Sequence, residues 1–294
     1  MNARVERLVI TGAGGQVGSR LAQVASEHEY NVLALARTQL DICDEDAVAE
    51  TLRPGDVVVN CAAETSVDTA ESDSARAHQI NAEAVGNLAA ACDRIGARFI
   101  HVSTDYVFAG QEEGWFSVRL ARPYETDDEP RPIQVYGESK LAGERLAFER
   151  NPRSVVVRTS WVFSGERNGI DFVSTAREQA ESGGVMRAVT DQVGSPTHSL
   201  DLVYGLMELV WRGDEGALLQ FCNTGGCSRY DLARAVFEEL GADPGLVRPC
   251  MSWELSRPAS RPPYSVLSVA SWVQRGLRPP RAWRDALRYA LTHG

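Results

Sequence analysis

Residues 7–25, RLVITGAGGQVGSRLAQVA, decide how this 294-residue chain folds. Leu8-Val9-Ile10 is a short apolar strand, Gly12, Gly15 and Gly18 follow it, and Val17 to Ala25 carries helical spacing. Glycines at a strand-to-helix turn let the backbone approach a pyrophosphate, which the positive end of the helix then attracts. Gly12, Gly15, Gln16, Val17 and Gly18 are therefore candidate contacts to a dinucleotide.

The next segments repeat the unit. Asn31 to Arg37, NVLALAR, is a second strand, and its end is where such a domain reads the adenosine ribose. A carboxylate there accepts from a 2′-hydroxyl, whereas an arginine suits a 2′-phosphate. Arg37 points to NADPH, with NADH also possible, and Leu40-Asp41-Ile42 brings Asp41 and Ile42 to the adenine edge. Asp56 to Ala63, DVVVNCAA, is a continuous β-branched run, the pattern of a parallel strand buried on both faces. It ends on Cys61, Ala62 and Ala63, which join the cofactor candidates. Ala77 to Ile95 has helical spacing, and Arg98 to Val102 is a strand delivering Ser103, Thr104 and Asp105 to its carboxyl end. Four βα units in a row predict an α/β fold, a doubly wound parallel Rossmann sheet with its ligand at the carboxyl edge.

Tyr136 and Lys140 are four residues apart in YGESK and so share one helix face. An ammonium beside a phenol stabilises the phenolate and lowers a pKa of about 10, making the tyrosine a usable proton donor or acceptor near neutrality. Alone the spacing is common on solvated helices. Beside Thr104, which could hydrogen-bond both a substrate carbonyl and Tyr136, it reads as carbonyl–alcohol chemistry.

Further along, Ser154 to Thr159 is a buried strand followed by Trp161, Phe172 to Ala180 a helix, and Val185 to Val189 a short strand. Asp191 to Thr197, DQVGSPT, reads as a turn contacting the nucleotide, Asp201 to Trp211 as a helix, and Ala217 to Cys222 as a final strand. Beyond it, loops and short helices are punctuated by prolines. The division that follows is a dinucleotide-binding domain of residues 1–160 and 199–224 with a small C-terminal substrate-binding lobe of 161–198 and 225–294.

Composition narrows the function. A formal charge of −10 argues against nucleic-acid binding, which needs clustered Lys and Arg. No apolar run approaches membrane-spanning length, and six scattered cysteines read as reduced thiols of a cytoplasmic protein. No His or Cys pair has metal-ligand spacing, and His198 is assigned no role.

TGAGGQVG, LDI, DVVVNCAAETSVDTAE, HVSTDYVFAG, YGESKLAGE, VVRTSWVF, TDQVGSPT and RPPYSVLS occur in this order from end to end. Together they resemble the extended short-chain dehydrogenase/reductases, and within them the dTDP-4-dehydrorhamnose reductase family. The resemblance implies hydride delivery from NAD(P)H to the C4 ketone of a dTDP-4-keto-6-deoxy sugar, giving dTDP-L-rhamnose or a related deoxysugar. It implies that Tyr136 protonates the alkoxide, that Lys140 binds the nicotinamide ribose and acidifies the tyrosine, and that Thr104 orients the carbonyl. It also places Val67, Asp105 and Trp161 near the sugar and gives Arg261 of RPPYS the diphosphate.

Three features depart from the family pattern. Glu64 stands where a tyrosine is common, and the segment between Phe108 and Tyr136, with Trp115-Phe116, is longer than usual. Arg20 occupies the place of a glutamate with which some relatives dimerise around Mg²⁺, so no metal is expected and a monomer or weak homodimer is. The alternatives are a non-catalytic cofactor-binding regulatory subunit of the same family, which the complete Thr104, Tyr136, Lys140 set disfavours, and a 4-ketoreductase of another nucleotide sugar. An epimerase or dehydratase fits less well, since dehydratases carry Asp-Glu where this chain has Ser103-Thr104-Asp105-Tyr106.

Overall fold

The computed structural model describes residues 5–110 and 122–293. Six strands, β1 (Arg7–Thr11), β2 (Val32–Leu35), β3 (Asp56–Asn60), β4 (Arg98–Thr104), β5 (Val155–Thr159) and β6 (Ala217–Gln220), form one parallel sheet. Their order is β6-β5-β4-β3-β1-β2, the doubly wound arrangement expected from the sequence. After β2 the chain returns to the other side of β1, and the crevice beyond the carboxyl ends there is where such sheets bind ligands.

The sheet forms because its strands can be buried on both faces. Every residue of β3 and β5 is buried. One apolar cluster packs Leu8, Ile10, Val57 and Val157 against the Gln16–Glu27 and Ser199–Arg212 helices. Another packs Val9, Val58, Phe99 and Val156 against the Ala84–Ile95 helix. A third core joins Phe163, Val173, Val236, Phe237 and Leu287 of the later segments. Trp272 and Leu277, within the stretch assigned to the C-terminal lobe, instead fill the first core, Trp272 edge-on to Phe221 at 4.8 Å between ring centroids.

Several boundaries shift for physical reasons. β2 stops at Leu35, leaving Arg37 beyond the sheet, and β4 runs on through Thr104, so this residue holds strand geometry at the edge. The expected Ala77–Ile95 helix is interrupted by a π-helical turn, Gln79–Glu83. Asn81 in that turn bonds the backbone of Glu64 in both directions, at 2.9 and 3.0 Å, and reaches Ser139 Oγ at 3.0 Å. The extra residue aims Asn81 inward, where a regular turn would carry it past these partners. Past β6, two helices of 11 residues, Arg229–Glu239 and Trp283–His293, replace the expected short ones, the first held by a Ser228–Asp231 capping box. Trp115 and Phe116 lie outside the described residues.

The Val135–Arg150 helix lies backbone-close to its surroundings. A Cβ on Gly143 would stand 2.0 Å from the Asn81 carbonyl oxygen. Alanine is intrinsically the better helix former by about 1 kcal/mol, but here it must push the helix off the π turn, at about 1–3 kcal/mol for overpacking. Gly143→Ala is therefore expected to lower the melting temperature, and an unchanged or higher value in thermal denaturation would show that the contact has room to relax.

Candidate active site

A cleft of about 780 Å³ runs along the carboxyl edge of the sheet. Its dinucleotide end is the turn between β1 and the Gln16–Glu27 helix. Gly12 has φ +70°, and a Cβ there would meet the Ala62 nitrogen at 2.4 Å, so only glycine lets this turn lie against the strand end of β3. The helix starts at Gly15 with no capping side chain and no acidic residue in its first turn. Its leading amides are thus left for an anion. Arg37 is exposed in the cleft wall and forms no carboxylate ion pair among the described residues. Uncapped amides and an unneutralised guanidinium fit a phosphorylated dinucleotide.

Gly12, Gly15, Gln16, Val17, Gly18, Arg37, Asp41, Ile42, Cys61, Ala62 and Ala63 all line this cleft, and so do Val67, Thr104, Asp105, Tyr136, Lys140 and Trp161. Residues drawn from the ends of β1 to β5 and from three helix starts are thereby brought to one place.

At the centre, Tyr136 is half-buried at the start of its helix, edge-on to Tyr106 with ring centroids 5.9 Å apart. Burial pushes its phenol above the ordinary value, and the Thr104 hydroxyl pulls the other way. Here the structure corrects the expectation that Lys140 lowers this pKa. The Lys140 side chain, 2% exposed, turns to the nearest buried acceptors instead: Nζ donates to the Val102 carbonyl at 2.8 Å and meets His101 Nε2 at 3.1 Å. Burial brings its pKa down to about 8 and holds His101 well below the usual imidazole range. His101 Nδ1 in turn meets Asn60 Nδ2 at 3.0 Å, an amide oriented by Ala62 N–H and Thr11 Oγ1 donating to its oxygen at 3.0 and 2.6 Å. A buried polar chain therefore runs from β1 through β3 and β4 to the lysine.

Two segments expected to contact the sugar nucleotide lie outside the wall of this cleft. Arg261 is absent from its wall; its guanidinium donates to both Asp68 oxygens at 2.7 and 2.8 Å and holds that carboxyl down to about 2. The fork expected for a diphosphate is occupied by a carboxylate. DQVGSPT also stays out of the wall. A side chain at Gly194 would come within 2.5 Å of the Trp161 indole, so this segment backs Trp161 and holds it at φ +45°.

Glu64, singled out in the sequence as standing in place of a tyrosine, lines the cleft with Arg76 3.8 Å away. Other wall residues escaped the sequence reading, and one of them, Ile170, is 97% exposed at the cleft mouth. Arg229 lies with its guanidinium 3.6 Å above the Trp161 ring. In the sequence Arg229 is one more helix-start residue after a capping serine, with no local signal. Arg20 pairs with Glu166 across the outside of the glycine turn, and the described residues hold no cluster of three or more potential metal ligands.

The family model described as the RmlD substrate binding domain matches residues 6–294. The chain is 50% identical over 292 residues to a dTDP-4-dehydrorhamnose reductase of Mycobacterium tuberculosis, covering 99% of this chain and 94% of the relative. It is 36% identical over 290 residues to a dTDP-4-keto-6-deoxy-D-glucose reductase of Streptomyces niveus, covering 97% and 96%. Its fold superposes with a TM-score of 0.88 on a dTDP-4-dehydrorhamnose reductase of Bacillus anthracis crystallised with NADP, 30% identical and covering 99% and 100% of the two chains. From strand ends, glycine turn and tyrosine helix to these likenesses, the observations agree, and the chain belongs to the RmlD substrate binding domain family, that of the dTDP-4-dehydrorhamnose reductases.

Proposed function

We propose that this chain is an NADPH-dependent reductase of the C4 ketone of a dTDP-4-keto-6-deoxy-hexose, with dTDP-4-dehydrorhamnose as its substrate. The observation that carries the reading is the meeting of Thr104, Tyr136 and Lys140 in the same cleft as the glycine turn and Arg37. The 50% identity to a relative bearing that name favours dehydrorhamnose over the gluco-configured ketone of the 36% relative.

In this reading residues 161–198 and 225–294 carry the sugar nucleotide and the rest of the chain the cofactor. NADPH, when bound, supplies the hydride for the ketone carbon. The first-turn amides of the Gln16–Glu27 helix hold its pyrophosphate, and Arg37 its 2′-phosphate. Thr104 donates to the ketone oxygen and orients it. Tyr136 gives that oxygen a proton: with a raised pKa the phenol keeps its proton through the neutral range, and an alkoxide is the stronger base. Lys140, fixed by His101 and the Val102 carbonyl, keeps a positive charge close to the site where negative charge develops. Free thiols at all six cysteines accord with work in the cytoplasm, and no helix among the described residues is long and apolar enough to cross a membrane.

Asp105 is 2% exposed and faces the reacting end of the cleft. Burial pushes its carboxyl up to about 6, against hydrogen bonds from Ser265, Ser160 and Thr104. A carboxyl with a folded-state pKa above its unfolded value of about 3.9 holds its proton better in the fold. Ionising it costs stability, and the cost grows from about pH 4 to about pH 6 and stays level above.

Four outcomes test this reading. The wild-type protein should consume NADPH, followed by its absorbance, with the 3,5-epimerised dTDP-4-keto-6-deoxy sugar; no consumption with that sugar sinks the assignment. Tyr136→Phe should lose about 10²- to 10⁴-fold in turnover while NADPH still binds, and near-normal turnover would remove Tyr136 as the proton donor. Arg37→Ala should weaken NADPH much more than NADH, so equal losses in titrations would end the 2′-phosphate role. Asp105→Asn should raise stability at pH 8 by about 3 kcal/mol and change little at pH 4; a variant less stable at pH 8 would mean that the ionised carboxylate is a stabilising partner.

A further inference from the structure

Two guanidinium groups converge on the Tyr106 phenol, and the fold treats them differently. Arg229 and Arg261 both act electrostatically on this one side chain. Arg261 has its charge cancelled by the two-point bond to Asp68. Arg229 forms no carboxylate ion pair among the described residues. The nearest acid on its own helix, Asp231, spends its carboxylate on the Ser228 backbone amide and hydroxyl, at 3.2 and 2.6 Å. Asp105 acts on Arg229 only through space, since one of its oxygens accepts from Ser265 and the other from Thr104 at 3.2 Å.

Arg229 is nonetheless built in rather than loose. Its guanidinium stacks on the Trp161 ring at 3.6 Å and approaches the Phe172 ring at 4.9 Å. Trp161 is itself wedged against Gly194 in a left-handed backbone conformation. Stacking holds the guanidinium plane and a hydrogen bond to the Tyr106 phenol steadies one N–H; with no carboxylate partner among the described residues, the remaining N–H groups suit parallel bonds to an oxyanion. Burial disfavours its charge. A cation so placed in a cleft wall gains most from a bound anion.

We infer that Arg229, rather than Arg261, binds the diphosphate of the sugar nucleotide, and that Trp161 positions it by stacking. Arg261 serves instead to lock the start of the Val67–Ser72 helix through Asp68. The inference rests on the sugar-nucleotide reading of the cleft and gives its anion a specific partner that neither the glycine turn nor the Tyr136 helix supplies.

The test is calorimetric binding of dTDP and of thymidine to the full chain loaded with NADP⁺. Arg229→Gln is expected to weaken dTDP by about 100-fold, the loss of a charged two-point contact, with thymidine and NADP⁺ affinities unchanged. Arg229→Lys, which keeps the charge and loses the fork, should recover part of the affinity. A dTDP affinity within about threefold of wild type in a folded Arg229→Gln protein overturns the inference. So do equal losses for dTDP and thymidine, which would mean that the Trp161 wall has collapsed. Should Arg229→Gln fail to fold, Arg229→Lys decides alone: it must lose dTDP affinity selectively, and a wild-type value overturns the inference. A loss seen with a dTDP-sugar but absent with dTDP also overturns it and assigns Arg229 to the hexose. The reductase reading fails separately, on wild-type NADPH consumption, so Arg229-dependent dTDP binding without turnover of any dTDP-4-keto sugar would sink that reading and leave this one standing.

Discussion

The approach of one helix to two pieces of backbone underlies the active cleft. At Gly137 a side chain would strike the Tyr106 carbonyl oxygen, and at Gly143 the Asn81 carbonyl oxygen, each at 2.0 Å. With glycine at both, the Val135–Arg150 helix settles against the end of β4 and against the π turn, with no side chain as spacer. Tyr136 and Lys140 inherit their places from that contact. Each begins within hydrogen-bonding reach of the strand end because the helix axis has been drawn towards it. The π turn belongs to the same device, since Asn81 is tied to Glu64 on one side and to Ser139 of the tyrosine helix on the other.

Charge in the interior follows from this packing. Lys140 is carried beneath the cleft floor, where it bonds His101 and the Val102 carbonyl, and one helical turn on, Glu144 pairs with Arg158 of β5 at 2.7 Å and accepts from Ser103 of β4. The catalytic helix is therefore pinned to β4 and β5 by polar contacts along its buried side, as well as by apolar packing. Such pairs add little net stability, but removing one partner leaves a buried charge exposed to the full cost of desolvation. They make the register of helix on sheet specific.

Much of this was legible in the chain itself. The glycine turn, the runs of β-branched residues and the Tyr-x-x-x-Lys spacing are local patterns, and local geometry alone puts their side chains on one face or at one strand end. Every cofactor candidate read from them lines the cleft. What the sequence did not show has one physical cause, partners that lie far away along the chain. Arg261 looked like a diphosphate ligand until Asp68, 193 residues away, took its fork. Lys140 reads in sequence as the group that acidifies Tyr136, and in the free protein its ammonium bonds His101 and the Val102 carbonyl. DQVGSPT looked like a nucleotide contact and turned out to support Trp161 from behind.

By itself, then, the sequence determined the parallel α/β sheet, the dinucleotide turn and the residue types available for carbonyl reduction, because each depends on neighbours within a few positions. The tertiary structure alone decided which charges are cancelled and which remain available. An arginine is identical in sequence whether it meets a carboxylate or a tryptophan face. Only the packing of β4, β5 and the later lobe left Arg229 on Trp161, Arg261 on Asp68 and Lys140 in the interior, because electrostatic pairing is settled by distance in space.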